Sequence, residues 1–179
     1  MDRFFVITGG PGSGKSTLLA VLGEHGIAHM PEGGRQIIRA QQAIGGTALP
    51  WADRDAFATA MLDHDKAVYR RALAQDGPVL FDRGIPDVIG YRALCGLSCP
   101  PDLVQAAAEL RYNRTVFIAP PWREIYANDT ERKQDWAEAV ATHDAMVVAY
   151  EAQGYDLVPL PFGPVAERAA FVLRRCGLL

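Results

Sequence analysis

Gly9-Gly10-Pro11-Gly12-Ser13-Gly14-Lys15-Ser16-Thr17 decides the reading of this chain. The first eight residues match the pattern G-x-x-x-x-G-K-[ST]. They lie between a β-branched and aromatic run, Arg3 to Thr8, and good helix formers from Lys15 to Glu24. Strand, glycine-rich turn and helix in that order build an anion cradle. Glycines let the backbone close around phosphate oxygens with N–H groups turned inward, and the helix start adds the positive end of its dipole. Lys15 would reach the β- and γ-phosphates as a point charge, Ser16 would be a magnesium ligand, and Thr17 would stand beside it.

Outward from this loop, strands alternate with helices. Apolar runs at Ile27 to Pro31, Val79 to Phe81, Thr115 to Ala119 and Asp156 to Leu160 read as further strands. Helices are expected over Arg35 to Ala43, from Asp53 to about Ala74, Pro86 to Leu94, Pro101 to Arg111 and Val165 to Arg175. On the long helix opened by Asp53, the residues Phe57, Met61, His64 and Val68 recur at helical spacing. A further helix carries Trp136, Val140, His143, Val147 and Tyr150, which predicts one buried face. The alternation argues for a parallel sheet covered on both sides.

The chain has 179 residues, 49% hydrophobic and 22% charged, which is enough for one domain and one core. A formal net charge of −3 disfavours a primary role in coating nucleic acid. The apolar stretch Phe4 to Ile7 is far shorter than a signal-peptide core, and no stretch reaches membrane-spanning length. Cys95, Cys99 and Cys176 are odd in number and lack the paired spacing of a zinc site, so reduced thiols in the cytoplasm are expected.

Ligands in such a sheet bind beyond the carboxyl ends of the strands. That rule nominates Glu32 after the second strand and Asp82 after the third. Asp82 is placed to hold Mg²⁺, Arg83 to clamp a phosphoryl group, and Glu32 to act as general base toward an acceptor hydroxyl. Asp87 reads as a helix cap and a weaker catalytic candidate. Arg132, followed by Lys133 on the charged segment 122–134, could neutralise the transferring phosphoryl group on closure. Pro161 to Pro164 could border a nucleobase. Trp51 and Trp122 read as loop residues near the acceptor, whereas Trp136, His64 and His143 read as packing residues.

The early Gly-x-x-x-x-Gly-Lys-Ser, the Asp-Arg-Gly after the third strand and the basic segment after the fourth together resemble P-loop nucleoside and nucleotide kinases over most of the chain. More narrowly, Pro31-Glu32-Gly33-Gly34-Arg35, Phe81-Asp82-Arg83-Gly84-Ile85-Pro86-Asp87 and Pro120-Pro121-Trp122 with Asp129-x-x-Arg132 are similar to the AAA-type ATPase/kinase family related to the ribosylnicotinamide kinase domain. The resemblance implies a three-layer α/β P-loop NTPase fold: a five-stranded parallel sheet in the order 2-3-1-4-5 with helices on both faces. It also implies a lid, at 121–134, within the single domain over 1–179 that the length of the chain suggests. ATP, with GTP as the alternative, and Mg²⁺ would form the donor system, and the acceptor would be a small nucleoside- or nucleotide-like molecule. Glu32 then takes the place of the base, and Asp82 with Arg83 that of the pair handling metal and phosphate. Two departures stand out: Gly84 follows the pair where those kinases commonly carry serine or tyrosine, and one lid arginine is followed by a lysine. The rival readings are a nucleotide-binding regulatory ATPase or GTPase without an acceptor, and an enzyme acting on nucleic-acid ends, which would need a basic groove.

Overall fold

The computed structural model describes residues 2–126 and 135–179. The first strand, β1 (Phe4–Gly9), is buried along its whole length, as expected of a strand covered on both faces. It is followed by α1 (Lys15–Glu24), β2 (Ala28–Met30), α2 (Gly33–Ile44), α3 (Arg54–Ala72) and β3 (Val79–Asp82). Then come α4 (Ile85–Leu94), α5 (Pro101–Glu109), β4 (Thr115–Ala119), α6 (Trp136–Ala152), β5 (Asp156–Pro159) and α7 (Val165–Arg175). All strands pair in parallel in the order β2-β3-β1-β4-β5. The sheet class, strand order and two-sided covering are those expected.

Because side chains alternate across a strand, β1 feeds two separate cores. Phe4 and Val6 point into a cluster with Phe81, Val116, Tyr69 and Met146, while Phe5 and Ile7 join Leu18, Leu22, Phe117 and Val172 on the other side. The first cluster holds an aromatic group in which Tyr69 meets Phe4 edge-on at 5.3 Å and Tyr112 at 5.4 Å. Tyr69 keeps its hydroxyl satisfied by donating to the Arg111 carbonyl at 2.7 Å. Asp53 caps α3 by accepting from the Ala56 N–H at 2.9 Å.

Several local expectations shift. Helix α2 begins at Gly33, two residues earlier than expected, and a Cβ there would lie 2.4 Å from His64 Nδ1. The glycine is thus explained by crowding against α3. On α6 the buried face is Ala139, Thr142, Met146, Ala149 and Tyr150, which shares only Tyr150 with the expected stripe. Small residues let α6 approach α4, where a Cβ on Gly90 would come within 2.6 Å of Met146 Cε. Trp136 is not in the core: it stands half-buried at the helix start, edge-on to Tyr126 at 5.4 Å. All three cysteines are free. Among the described residues no helix is long and apolar enough to cross a membrane.

Candidate active site

The loop between β1 and α1 starts at Gly9, whose φ of 127° and close approach to β4 admit no side chain; a Cβ would sit 2.4 Å from the Ala119 carbonyl oxygen. The loop ends at Gly14, the left-handed N-cap of α1 with φ 74°. Ser13 Oγ donates to the Gly10 carbonyl at 2.8 Å and closes the loop on itself. Lys15 is 7% exposed and donates to the carbonyls of Gly9 (3.1 Å) and Gly10 (2.6 Å) and to Ser13 Oγ (3.2 Å). Ser16 and Thr17 are exposed. Residues 11–17 line a cavity of about 470 Å³, closed on its far side by Trp122, Gly163, Val165 and Arg168.

Burial, and then the nearby Arg83 charge, lower the Lys15 ammonium from its ordinary range to about 8, against the opposing pull of Asp82, Glu32 and Asp87. A polyphosphate favours the charged form, so the bound pKa lies higher. Affinity is then fully present below about 8 and falls as pH rises through it, by up to about tenfold per pH unit. Titrating magnesium-free ADP between pH 7 and 9.5 measures this, and a flat Kd across that window would contradict it.

Asp82 closes β3 opposite Ile7 of β1. Its Oδ1 is buried and, among the described residues, has no hydrogen-bond partner. Burial, and then the Glu32 charge, raise its carboxyl pKa. A buried carboxylate oxygen left open in this way suits a cation or a metal-bound water better than a structural contact. Arg83 follows with φ 71°, a left-handed conformation that costs a non-glycine residue about 1 kcal/mol. Its N–H donates to the Ile7 carbonyl at 3.0 Å, and its guanidinium spans two carboxylates: Nε to Glu32 at 3.2 Å and Nη1 to Asp87 at 2.9 Å. Burial works against that charge, but Glu32, Asp87 and Asp82 hold its pKa above the ordinary value.

Asp87 is the residue that aims Arg83. It is 6% exposed and accepts from four sides: Thr8 Oγ1 at 2.5 Å, Arg83 Nη1 at 2.9 Å, the Gly84 N–H at 2.9 Å and the Tyr150 hydroxyl at 2.6 Å. Its capping role is the expected one, and its employment by four donors leaves it no part as a base. Asp87→Ala strands these donors in the interior and is expected to destabilise the fold by about 3–5 kcal/mol in urea unfolding. A loss under about 1 kcal/mol would show that the network can rearrange.

Glu32, the N-cap residue of α2, is about four-fifths buried and lies where two cavities meet. The second, of about 580 Å³, extends between α2, α3, α4 and α6 and has aromatic walls of Trp51, Phe57 and Tyr91. Glu32 and Arg83 line both cavities, and Glu32, Asp82 and Arg83 are each within electrostatic reach of Lys15. Arg132 and most of the expected lid fall in 127–134, outside the described residues. The part of the segment that is described bears on the loop: a Cβ on Gly12 would come within 2.6 Å of Tyr126 Cδ2.

Trp51 borders the second cavity, and Trp122 does not. It belongs to the phosphate-side cavity, 5.3 Å edge-on from Phe162, because β4 lies between β1 and β5 and its outgoing loop reaches toward α7. Asp65 and Arg168 were not anticipated. Arg168 is 3% exposed, donates to the Ser13 carbonyl at 3.1 Å, and its Nε has no partner among the described residues. The signal for both was a charged residue in phase with an apolar stripe: Asp65 with Met61, Leu62 and Val68, and Arg168 with Ala169 and Val172. His64 and His143 contact the neighbouring aspartates, and no cluster of three metal-binding side chains occurs among the described residues.

Comparison with known proteins places this geometry in context. A family model described as an AAA domain matches residues 4–168. No curated protein matches the chain. Among solved structures, a NadR protein in complex with NR superposes with a TM-score of 0.73 at 16% identity, covering 99% of this chain and 52% of that one. This chain thus spans about half the length of that protein. A deoxyadenosine kinase from M. mycoides, solved with products bound, gives 0.68 at 12% identity over 98% of this chain and 100% of the other. A thymidylate kinase from Ehrlichia chaffeensis gives 0.64 at 16% identity over 98% of each. At these identities the likeness establishes a common fold, that of the P-loop nucleoside and nucleotide kinases.

Proposed function

The chain belongs to the AAA-domain family, and from its fold and site geometry we propose that it is a kinase that transfers the γ-phosphoryl group of ATP to a small nucleoside-like acceptor. The observation that carries this reading is the meeting of two cavities at Glu32 and Arg83, one formed by the phosphate loop and the other walled by aromatic residues. A module that only switches on nucleotide binding has no use for the second cavity. The names of the similar structures, a deoxyadenosine kinase and a thymidylate kinase among them, support the same reading.

In this scheme the loop N–H groups and Lys15 grip the β- and γ-phosphates. Ser16 and Asp82 would hold Mg²⁺, and the open Asp82 Oδ1 fits that role; the remaining ligands would be phosphate oxygens and water. When bound, the ion would supply neutralisation of the negative charge on the phosphates. Glu32 accepts the proton of the acceptor hydroxyl, and Arg83, locked by Glu32 and Asp87, stabilises charge on the phosphoryl oxygens. Arg132 would add a further positive charge from the segment beyond Tyr126.

Incubation with γ-labelled ATP, Mg²⁺ and pooled nucleosides, nucleotides and small phosphorylated metabolites, with products separated by mass, tests the proposal. Label on a small molecule is expected. Tight nucleotide binding with release of free phosphate alone would favour the regulatory reading instead.

A further inference from the structure

The two cavities that share Glu32 and Arg83 carry opposite charge. Among the described residues, the phosphate-side cavity is lined by Lys15, Arg35, Arg83 and Arg168 against the single carboxylate of Glu32. The aromatic cavity is lined by Glu32, Asp65, Asp87 and Glu138 against Arg54 and Arg83. Of those two arginines, Arg83 is already spanned by two carboxylates, and Arg54 Nε donates to the Pro50 carbonyl at 3.2 Å. The first cavity attracts a polyanion. The second, with four carboxylates against two guanidiniums, disfavours a phosphate monoester.

The carboxylates in the aromatic cavity are not equally occupied. Asp87 is held by four donors, and Glu138 closes the capping box of α6 by accepting from the Asp135 N–H at 2.9 Å. Asp65 is different. Its side chain is 14% exposed, and its one hydrogen-bond partner among the described residues is Nδ1 of the adjacent His64, at 3.3 Å. Burial raises its carboxyl to about 6, so it is ionised at neutral pH. An ionised carboxylate accepts up to about four hydrogen bonds. Asp65 therefore stands in a largely apolar cavity with acceptor capacity unused, alongside Phe57, Met61 and Tyr91.

We infer that the acceptor is an unphosphorylated, neutral or cationic nucleoside, whose flat ring lies among Trp51, Phe57 and Tyr91 and donates an amine or ring N–H to Asp65. The inference rests on the kinase reading and narrows it. A volume of about 580 Å³ accommodates a ring and a ribose. With the ring at Asp65, the hydroxyl end points toward Glu32 and the phosphate loop. The acceptor oxygen then bonds the γ-phosphorus as the bond from that phosphorus to the β,γ-bridging oxygen breaks. ADP leaves with the electron pair, the hydroxyl proton passes to Glu32, and the product is a nucleoside monophosphate. Asp65 is a specificity residue here and takes no part in the transfer.

The test uses the full chain with ATP and Mg²⁺. It compares adenosine and cytidine, in ribo and deoxy forms, with their 5′-monophosphates and with analogues dimethylated on the exocyclic amine. At least one of these nucleosides is expected to exceed its monophosphate by tenfold or more in kcat/KM, with dimethylation costing a further tenfold or more. Asp65→Asn should raise KM for that nucleoside at least tenfold with kcat nearly unchanged, reduce the penalty for dimethylation, and leave ATP affinity within twofold. Preference for a monophosphate would overturn the inference while leaving the kinase standing. So would a dimethylation penalty that persists in Asp65→Asn, or failure of every nucleoside tested. Phosphate release without transfer to any pooled small molecule would bring down the kinase reading itself.

Discussion

Lys15→Ala is expected to reduce kcat/KM for phosphoryl transfer by about 10³-fold or more, the scale seen when a charge that stabilises the transferring phosphoryl group is removed. The ammonium is folded back onto the Gly9 and Gly10 carbonyls and is 7% exposed. On the proposed reading this charge would exchange two carbonyl oxygens for phosphate oxygens when nucleotide binds. Alanine removes that charge, while the loop's path remains set by its glycines and by the Ser13 bond to Gly10. Circular dichroism should therefore show a folded variant. Steady-state kinetics on wild type and variant decide the matter, and activity within tenfold of wild type would exclude Lys15 from the chemistry.

Asp82→Asn separates function from stability in the opposite direction. Turnover is expected to fall by about 10²-fold or more, whereas the Kd for the nucleotide changes by less than about tenfold, because on the proposed reading the carboxylate would act through metal placement during transfer. Yet the thermal midpoint at neutral pH should rise. A carboxyl whose folded pKa is raised above its unfolded value costs stability at pH values above the unfolded pKa, and Asp82 is raised by burial and by Glu32. The isosteric amide removes that cost. A variant that loses activity and melts earlier would instead mark Asp82 as a structural residue.

The parts legible in sequence were those with local causes. The strand, glycine turn and helix around residues 9–17 are fixed by backbone requirements, and Asp82 was located because a short apolar strand ends at it. The phase of α6 was missed because its buried face depends on Ala139, Thr142 and Ala149, small residues that carry little hydrophobic signal until α4 is known to approach at Gly90. Which cavity Trp122 lines is not legible in its own loop, because sidedness depends on which strands flank β1. Asp65 and Arg168 acquire meaning only from cavities whose walls include residues more than twenty positions away, Glu32 and Tyr91 for Asp65 and residues 11–17 for Arg168, and that no single segment encodes. Arg132 lies outside the described residues, and its role stands as a proposal.

The anchoring of Arg83 also bears on how such a protein can change over generations. Its guanidinium is set by Asp87, which is in turn pinned by Thr8 from β1 and Tyr150 from α6. The aromatic cavity takes Trp51, Phe57 and Asp65 from a different part of the chain, the stretch leading into α3 and the helix itself. Apart from Glu32, and from Tyr91, which shares α4 with Asp87, the groups that aim the chemistry and those that would read the acceptor ring are carried by separate elements. Mutations in and just before α3 can therefore exchange one acceptor for another without disturbing the reacting centre, so a lineage can acquire new substrates in single steps that keep the enzyme working throughout.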